Sequence, residues 1–273
     1  MTQRILVMIR YLLHSLFTSL AGLFYVLVAV AFWLLFFDPR QGTPETEYYV
    51  LGIGAFGIAV SFLLTLSIAS RANRAVNYPL LVRLPSRVEY LTAALFSALI
   101  AAGLLQLLVA ALALCRGPLL TPAQVLEIPP IWLAPNILAA VLALHASDFV
   151  AAGWSRVYVF GILAFFLFGQ GIDDTFLSGF VASLNRFFLE QGWFEVSNAL
   201  SDFSNGMSNS DSNVLGRILG FIFWPFRAIV DASINGYFTP TQALAPAVLL
   251  LYATILFMLA ADLFANKDIE FTE

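Results

Sequence analysis

Lysine is almost missing from this chain: Lys267 is the single example in 273 residues. A Walker-type phosphate loop needs Gly-Lys-Ser/Thr, so that backbone amides and an ammonium together hold the phosphates. Lys267 follows Asn266, which excludes nucleotide hydrolysis within this chain. Cysteine is equally scarce, and Cys115 alone cannot form an intramolecular disulfide. Histidine occurs twice, at His14 and His145, with no cysteine or carboxylate cluster at ligand spacing, so a zinc site is not expected. No glycine-rich serine motif, HExxH or acidic pair is present, so no catalytic residue, metal or cofactor is assigned. Nor is a nucleic-acid partner expected.

Charge is the most telling shortage. Charged residues make up 11% of the chain and hydrophobic ones 60%, with a net charge of −4. Soluble domains carry about 25% charged residues, so a water-soluble fold here would lack polar surface to cover itself. Lipid is therefore the solvent for much of the chain. An all-α fold follows, a polytopic transmembrane helix bundle, because helices close their own hydrogen bonds inside a bilayer.

A helix crossing the hydrocarbon core needs roughly 20 apolar residues. Five segments meet that length readily: Ser19–Phe37, Val50–Ala69, Leu91–Leu114, Ile131–Ala152 and Leu244–Leu263. A shorter, uncharged one, Val157–Ile172, makes a sixth and is ended by Asp173 and Asp174. The first run is longer than a signal-peptide core of about 7–15 residues and reads as a retained span. Val214–Val230 is apolar but interrupted by Arg217, Pro225 and Arg227. A charge at mid-bilayer costs roughly 2.5–3.5 kcal/mol. That stretch reads as a half-inserted or interfacial hairpin centred on Trp224, Pro225 and Arg227.

Six spans put both termini on one side. With that side inside, eight cationic residues (Arg4, Arg10, Arg71, Arg74, Arg83, Arg87, Arg156 and Lys267) fall in inner segments. The short outer loops hold two, Arg40 and Arg116, and the long outer region Asp173–Ala243 counts little. Both ends are expected in the cytoplasm of a cell-membrane protein.

Two non-membrane segments carry information. Thr2–Thr18 is mostly apolar, with Arg10 and His14 on one helical face. It reads either as a helix lying along the inner interface or as an extension of the first span. Ser70–Tyr90 mixes Arg71, Arg74, Arg83 and Arg87 with Leu80, Leu81, Val82 and Leu84, punctuated by Pro79 and Pro85. A short amphipathic helix docked on membrane or on a partner accounts for that mixture; positive-inside charge beside a lipid-facing leucine patch is the plainer account. Inside the bilayer, Gln106, Asn136, His145 and Asp148 are among the few polar groups. His145 and Asp148 stand at a spacing that would share a helix face and allow a proton relay, but the better reading puts Asp148 near the inner interface, close to Arg156, with His145 hydrogen-bonded to a neighbouring helix. Small residues at Ala94, Ala98 and Ala102, and at Gly52, Gly54 and Gly57, favour close helix approach.

Three stretches then resemble the membrane subunits of six-span, type-2 ATP-binding-cassette exporters. They are LLVRLPSRVEYLTAAL (Leu80–Leu95), WPFRAIVDASING (Trp224–Gly236) and LFANKDIEF (Leu263–Phe271). Where that family's loop carries an acid and then a glycine, this chain has Asn73, Arg74 and Asn77. The resemblance implies a permease subunit that dimerises and pairs with separate ATPase subunits. It also implies a coupling surface made by the N-terminal helix and by Arg74, Leu80, Leu81, Arg83, Leu84 and Arg87. The alternative is an ATP-independent secondary transporter, or an embedded enzyme using His145 and Asp148.

Overall fold

The computed structural model describes residues 2–37, 42, 45–115, 117–150, 161, 186 and 214–266, with backbone alone at 78 and 214–222. Its helices are α1 (Thr2–Phe17), α2 (Leu20–Phe36), α3 (Thr46–Ala72), α4 (Tyr78–Arg83), α5 (Arg87–Leu114), α6 (Pro122–Ala146), α7 (Val214–Asn235) and α8 (Ala245–Asn266). A 3-10 turn, Ala75–Asn77, precedes α4, and no strand occurs among the described residues. The chain divides into two compact units: Met1–Val159 with Pro225–Glu273, and Phe160–Trp224. Apart from residue 161, the expected span Val157–Ile172 lies outside the described residues.

Four helices, α3, α5, α6 and α8, are long and apolar enough to cross a membrane, and the α1–α2 pair makes a fifth if counted as one bent span. That makes the chain a membrane protein by length and composition. α2 has 17 residues, about 25 Å of helix, the short end of what a bilayer requires.

The break between α1 and α2 is a built corner of 73°. Ser19 caps α2 and also donates its hydroxyl to the Leu16 carbonyl at 2.5 Å. Gly22 has no Cβ because one there would run into the Leu16 carbonyl oxygen and sit 2.9 Å from the Phe17 Cα. Arg71 of α3 fixes the corner from outside, donating to the Ser15 carbonyl (3.0 Å) and the Ser19 hydroxyl (2.8 Å). A guanidinium on the last carbonyls of α1 also meets the negative end of the helix dipole. Hydrogen bonds to charged groups contribute about 1.5–3 kcal/mol. Arg71→Met should therefore speed amide exchange across residues 5–17 at least tenfold; unchanged exchange would mean that the apolar stripe of α1 alone holds the corner.

That stripe is Met8, Leu12 and Leu16, buried at i, i+4, i+8 spacing where α1 packs on α5. Deeper in the bundle, α3 packs against both α5 and α6, and α8 against α6. Ala94, Ala98 and Ala102 are buried on α5, as their spacing suggests. With no hydrophobic drive between helices in lipid, polar side chains act as ties. Gln106 donates to the Ile53 carbonyl (3.1 Å) and accepts from Asn136 (2.6 Å), joining α3, α5 and α6. Trp132 donates to the Val50 carbonyl at 2.9 Å, and Tyr49 to the Ala110 carbonyl at 3.3 Å. Gly57 leaves the space that the Gln106 amide fills, and Gly54 admits the Trp132 ring.

Two expectations are corrected. The fourth span runs Pro122–Ala146 and not Ile131–Ala152. Thr121 and Gln124 form a reciprocal capping box that starts the helix, and Pro129, Pro130 and Pro135 ride inside it. Val214–Asn235 is one α-helix with Pro225 inside it, not a hairpin broken at Trp224, Pro225 and Arg227. Pro removes one backbone donor and bends a helix, but helices of membrane proteins re-satisfy the freed carbonyl and continue.

Candidate functional surface

At one end of the bundle the C-terminus of α3, the N-terminus of α5 and the helix α1 converge. Ring contacts mark this end: Phe149 lies 5.8 Å from Tyr90 and 4.6 Å from Phe264. α8 therefore finishes at the end where α5 begins. The segment between α3 and α5 sits on this end as a folded unit. Tyr90 donates from its hydroxyl to the Ala72 carbonyl at 3.1 Å, drawing the two helices together. Asn77 is buried and donates to the Arg71 carbonyl at 2.8 Å, while its side-chain oxygen accepts from the Tyr11 hydroxyl at 3.2 Å. One side chain thus ties α1, α3 and the turn before α4. Ser86 caps α5 by accepting from the Val88 amide at 3.3 Å, so the proline-serine pair acts as a stop-and-start signal.

The sequence-expected residues divide by face. Leu81 is 4% exposed and anchors α4 to the bundle, so it is part of the chain's own core and not a partner contact. Leu80 is 40% exposed and Leu84 half-buried, and Arg74, Arg83 and Arg87 are exposed. Two residues outside the expected set are more open still: Val76 at 74% and Val82 at 62%. A six-residue helix is too short for apolar periodicity to tell Leu81 from Val82.

Leu80, Arg83 and Leu84 face α1 across a groove of about 380 Å³, whose other walls are Gln3, Arg4, Val7 and Met8. Beside it Arg4 pairs with Glu89 at 3.6 Å. Glu89 is 4% exposed, and its Oε2 accepts no hydrogen bond among the described residues. Sequence reasoning passed over Glu89. An acid in the first turn of a helix reads as an ordinary response to the helix dipole, and its partner on α1 is remote in sequence.

His145 reaches a neighbouring helix, the reading preferred over a relay with Asp148. α6 ends at Ala146, Asp148 falls in the turn beyond it, and the His145 Nε2 lies 2.9 Å from the Leu256 carbonyl of α8. His145 is a tie between helices. Trp224, Pro225 and Arg227 lie on α7, and none of them lines the α1–α4 groove.

No protein-family model matches the chain, and no characterised protein is similar to it in sequence.

Proposed function

We propose that the chain is the membrane-spanning permease subunit of an ATP-driven exporter of the ATP-binding-cassette type, with six spans, acting as a dimer with separate ATPase subunits. The observation that carries this reading is the α3–α5 connection. Val76 and Val82 stand exposed on a segment that Leu81, Asn77 and Tyr90 fix to the ends of two membrane-length helices. A partner that pushed on this patch would move α3 and α5 as levers, since packed elements pass displacement along as rigid bodies. Exposed Arg74 borders the apolar patch and suits an acidic rim on such a partner. The sequence holds no nucleotide site of its own, so the energy source is assigned to a second protein. A transport path falls between two protomers, because a single small bundle encloses little space.

Affinity purification of the tagged full chain from its own membrane should recover an ATPase carrying Walker motifs, together with a second permease protomer. Recovery of the chain without any nucleotide-hydrolysing subunit would overturn the reading.

The proposal places α1, the α3–α5 connection and both termini in the cytoplasm. Cys115, exposed at the end of α5 away from α4, then faces outward. As the only cysteine it can be labelled in the unmodified protein. A membrane-impermeant maleimide should modify it in intact cells, and modification only after lysis would reverse the orientation.

A further inference from the structure

We infer that the groove between α1 and the α4 segment is a binding site for one anionic phospholipid, with an acyl chain on its apolar floor and the headgroup phosphate between Arg4 and Arg83. This inference rests on the α1–α4 geometry and not on the transport reading. The floor is Val7, Met8, Leu80 and Leu84, and the polar lining is Gln3, Arg4 and Arg83, with no acid among the lining residues. A soluble anion has no use for such a floor, and a zwitterionic lipid would bring its own cation beside two guanidiniums. About 380 Å³ falls within the roughly 300–1,000 Å³ of ligand pockets. It is too little for a docked helix, which with its side chains is about 10–12 Å across.

The position fits as well. With α2 along the bilayer normal, the 73° corner lays α1 near the membrane plane, so the groove opens at headgroup depth. α1 carries Arg4 and Arg10 and no acid in its sequence, a charge pattern complementary to an anionic leaflet. Glu89 holds Arg4 by its Nε edge at 3.6 Å, which orients a half-exposed guanidinium at the groove. Arg83 is exposed and makes no ion pair or hydrogen bond among the described residues, so its planar donors are open to a phosphate.

The test uses the full chain reconstituted in nanodiscs of equal phosphatidylglycerol and phosphatidylcholine, with retained lipid counted by native mass spectrometry. Wild type should keep one phosphatidylglycerol in preference to phosphatidylcholine. Arg83→Gln should weaken that preference about fivefold, the loss of one cation near an anionic surface. Arg83→Lys should restore most of it, and Arg74→Gln, exposed and outside the groove, should leave it unchanged. Both positions are surface ones, so folding is not at issue. Equal retention of the two lipids, or an Arg83→Gln variant indistinguishable from wild type, overturns the site. Displacement of the lipid by excess inorganic phosphate would reassign it to soluble anions. If Leu80→Cys is shielded only in an assembled protein complex while lipid retention ignores Arg83, the groove belongs to a protein segment and the inference fails. Failure to recover an ATPase, by contrast, leaves it standing.

Discussion

Gly57→Ala should destabilise the bundle by about 1–3 kcal/mol, the penalty for leaving buried polar groups unpaired, although it adds only one methyl group. The new Cβ would occupy the space of the Gln106 side-chain amide. That amide is the far end of a flexible side chain and can swing away, so the steric term alone is small. Swinging away forfeits the bonds to the Ile53 carbonyl and to Asn136, which join three helices. Asn136 is 5% exposed and already has an Oδ1 without a hydrogen-bond partner among the described residues, so it has little in reserve. Interhelical hydrogen bonds in membrane proteins average about 0.6 kcal/mol, with a maximum near 1.7, so losing two of them accounts for the effect. The discriminating measurement is a double-mutant cycle on unfolding in detergent. Gly57→Ala should cost little in a Gln106→Ala background, because the amide it displaces is gone. Full additivity would show that Gly57 serves backbone packing and not the polar node.

Gly57 and Gln106 also show how far the sequence speaks. Glycines on one span and a lone glutamine on the next announce close approach and a polar tie, but not that each exists for the other. α3, α5 and α8 were legible because long apolar runs admit one reading in lipid. The start of α6 was not, because Pro129 and Pro130 signal a break by local rules while the capping box at Thr121 sets the true beginning. α7 failed for a related reason: Arg217, Pro225 and Arg227 each oppose a buried span, yet none of them forbids a continuous helix. At the candidate surface the segment was legible and its facing was not. The apolar cluster Leu80, Leu81, Val82 and Leu84 among the arginines marks residues 70–90 as something other than a solvated loop. Which of Leu80, Leu81, Val82 and Leu84 turns inward depends on Asn77, Tyr11 and Tyr90, contacts formed across the chain.

That facing decides which variant tests the coupling proposal. Val82→Asp should abolish recovery of the ATPase, with affinity falling roughly thirty- to a thousandfold, while the permease still inserts and folds. Val82 is 62% exposed in the chain by itself, so an aspartate there stays hydrated and changes folding by no more than about 0.5 kcal/mol. In the assembled complex the same carboxylate would lie in an apolar contact without a partner, and central contacts of this kind cost about 2–4 kcal/mol when spoiled. Leu81→Asp cannot make this distinction. At 4% exposure Leu81 is part of the anchor of α4, and a charge there would unseat the whole segment and remove the ATPase by misfolding. Arg74→Glu serves as the companion variant. It reverses a rim charge on the same face, which should slow association and flatten its salt dependence without abolishing the complex. The measurements are co-purified ATPase per permease and the detergent melting temperature of each variant. A Val82→Asp chain that melts like wild type and still brings down the ATPase in full would remove this segment from the interface, and with it the observation on which the exporter reading stands.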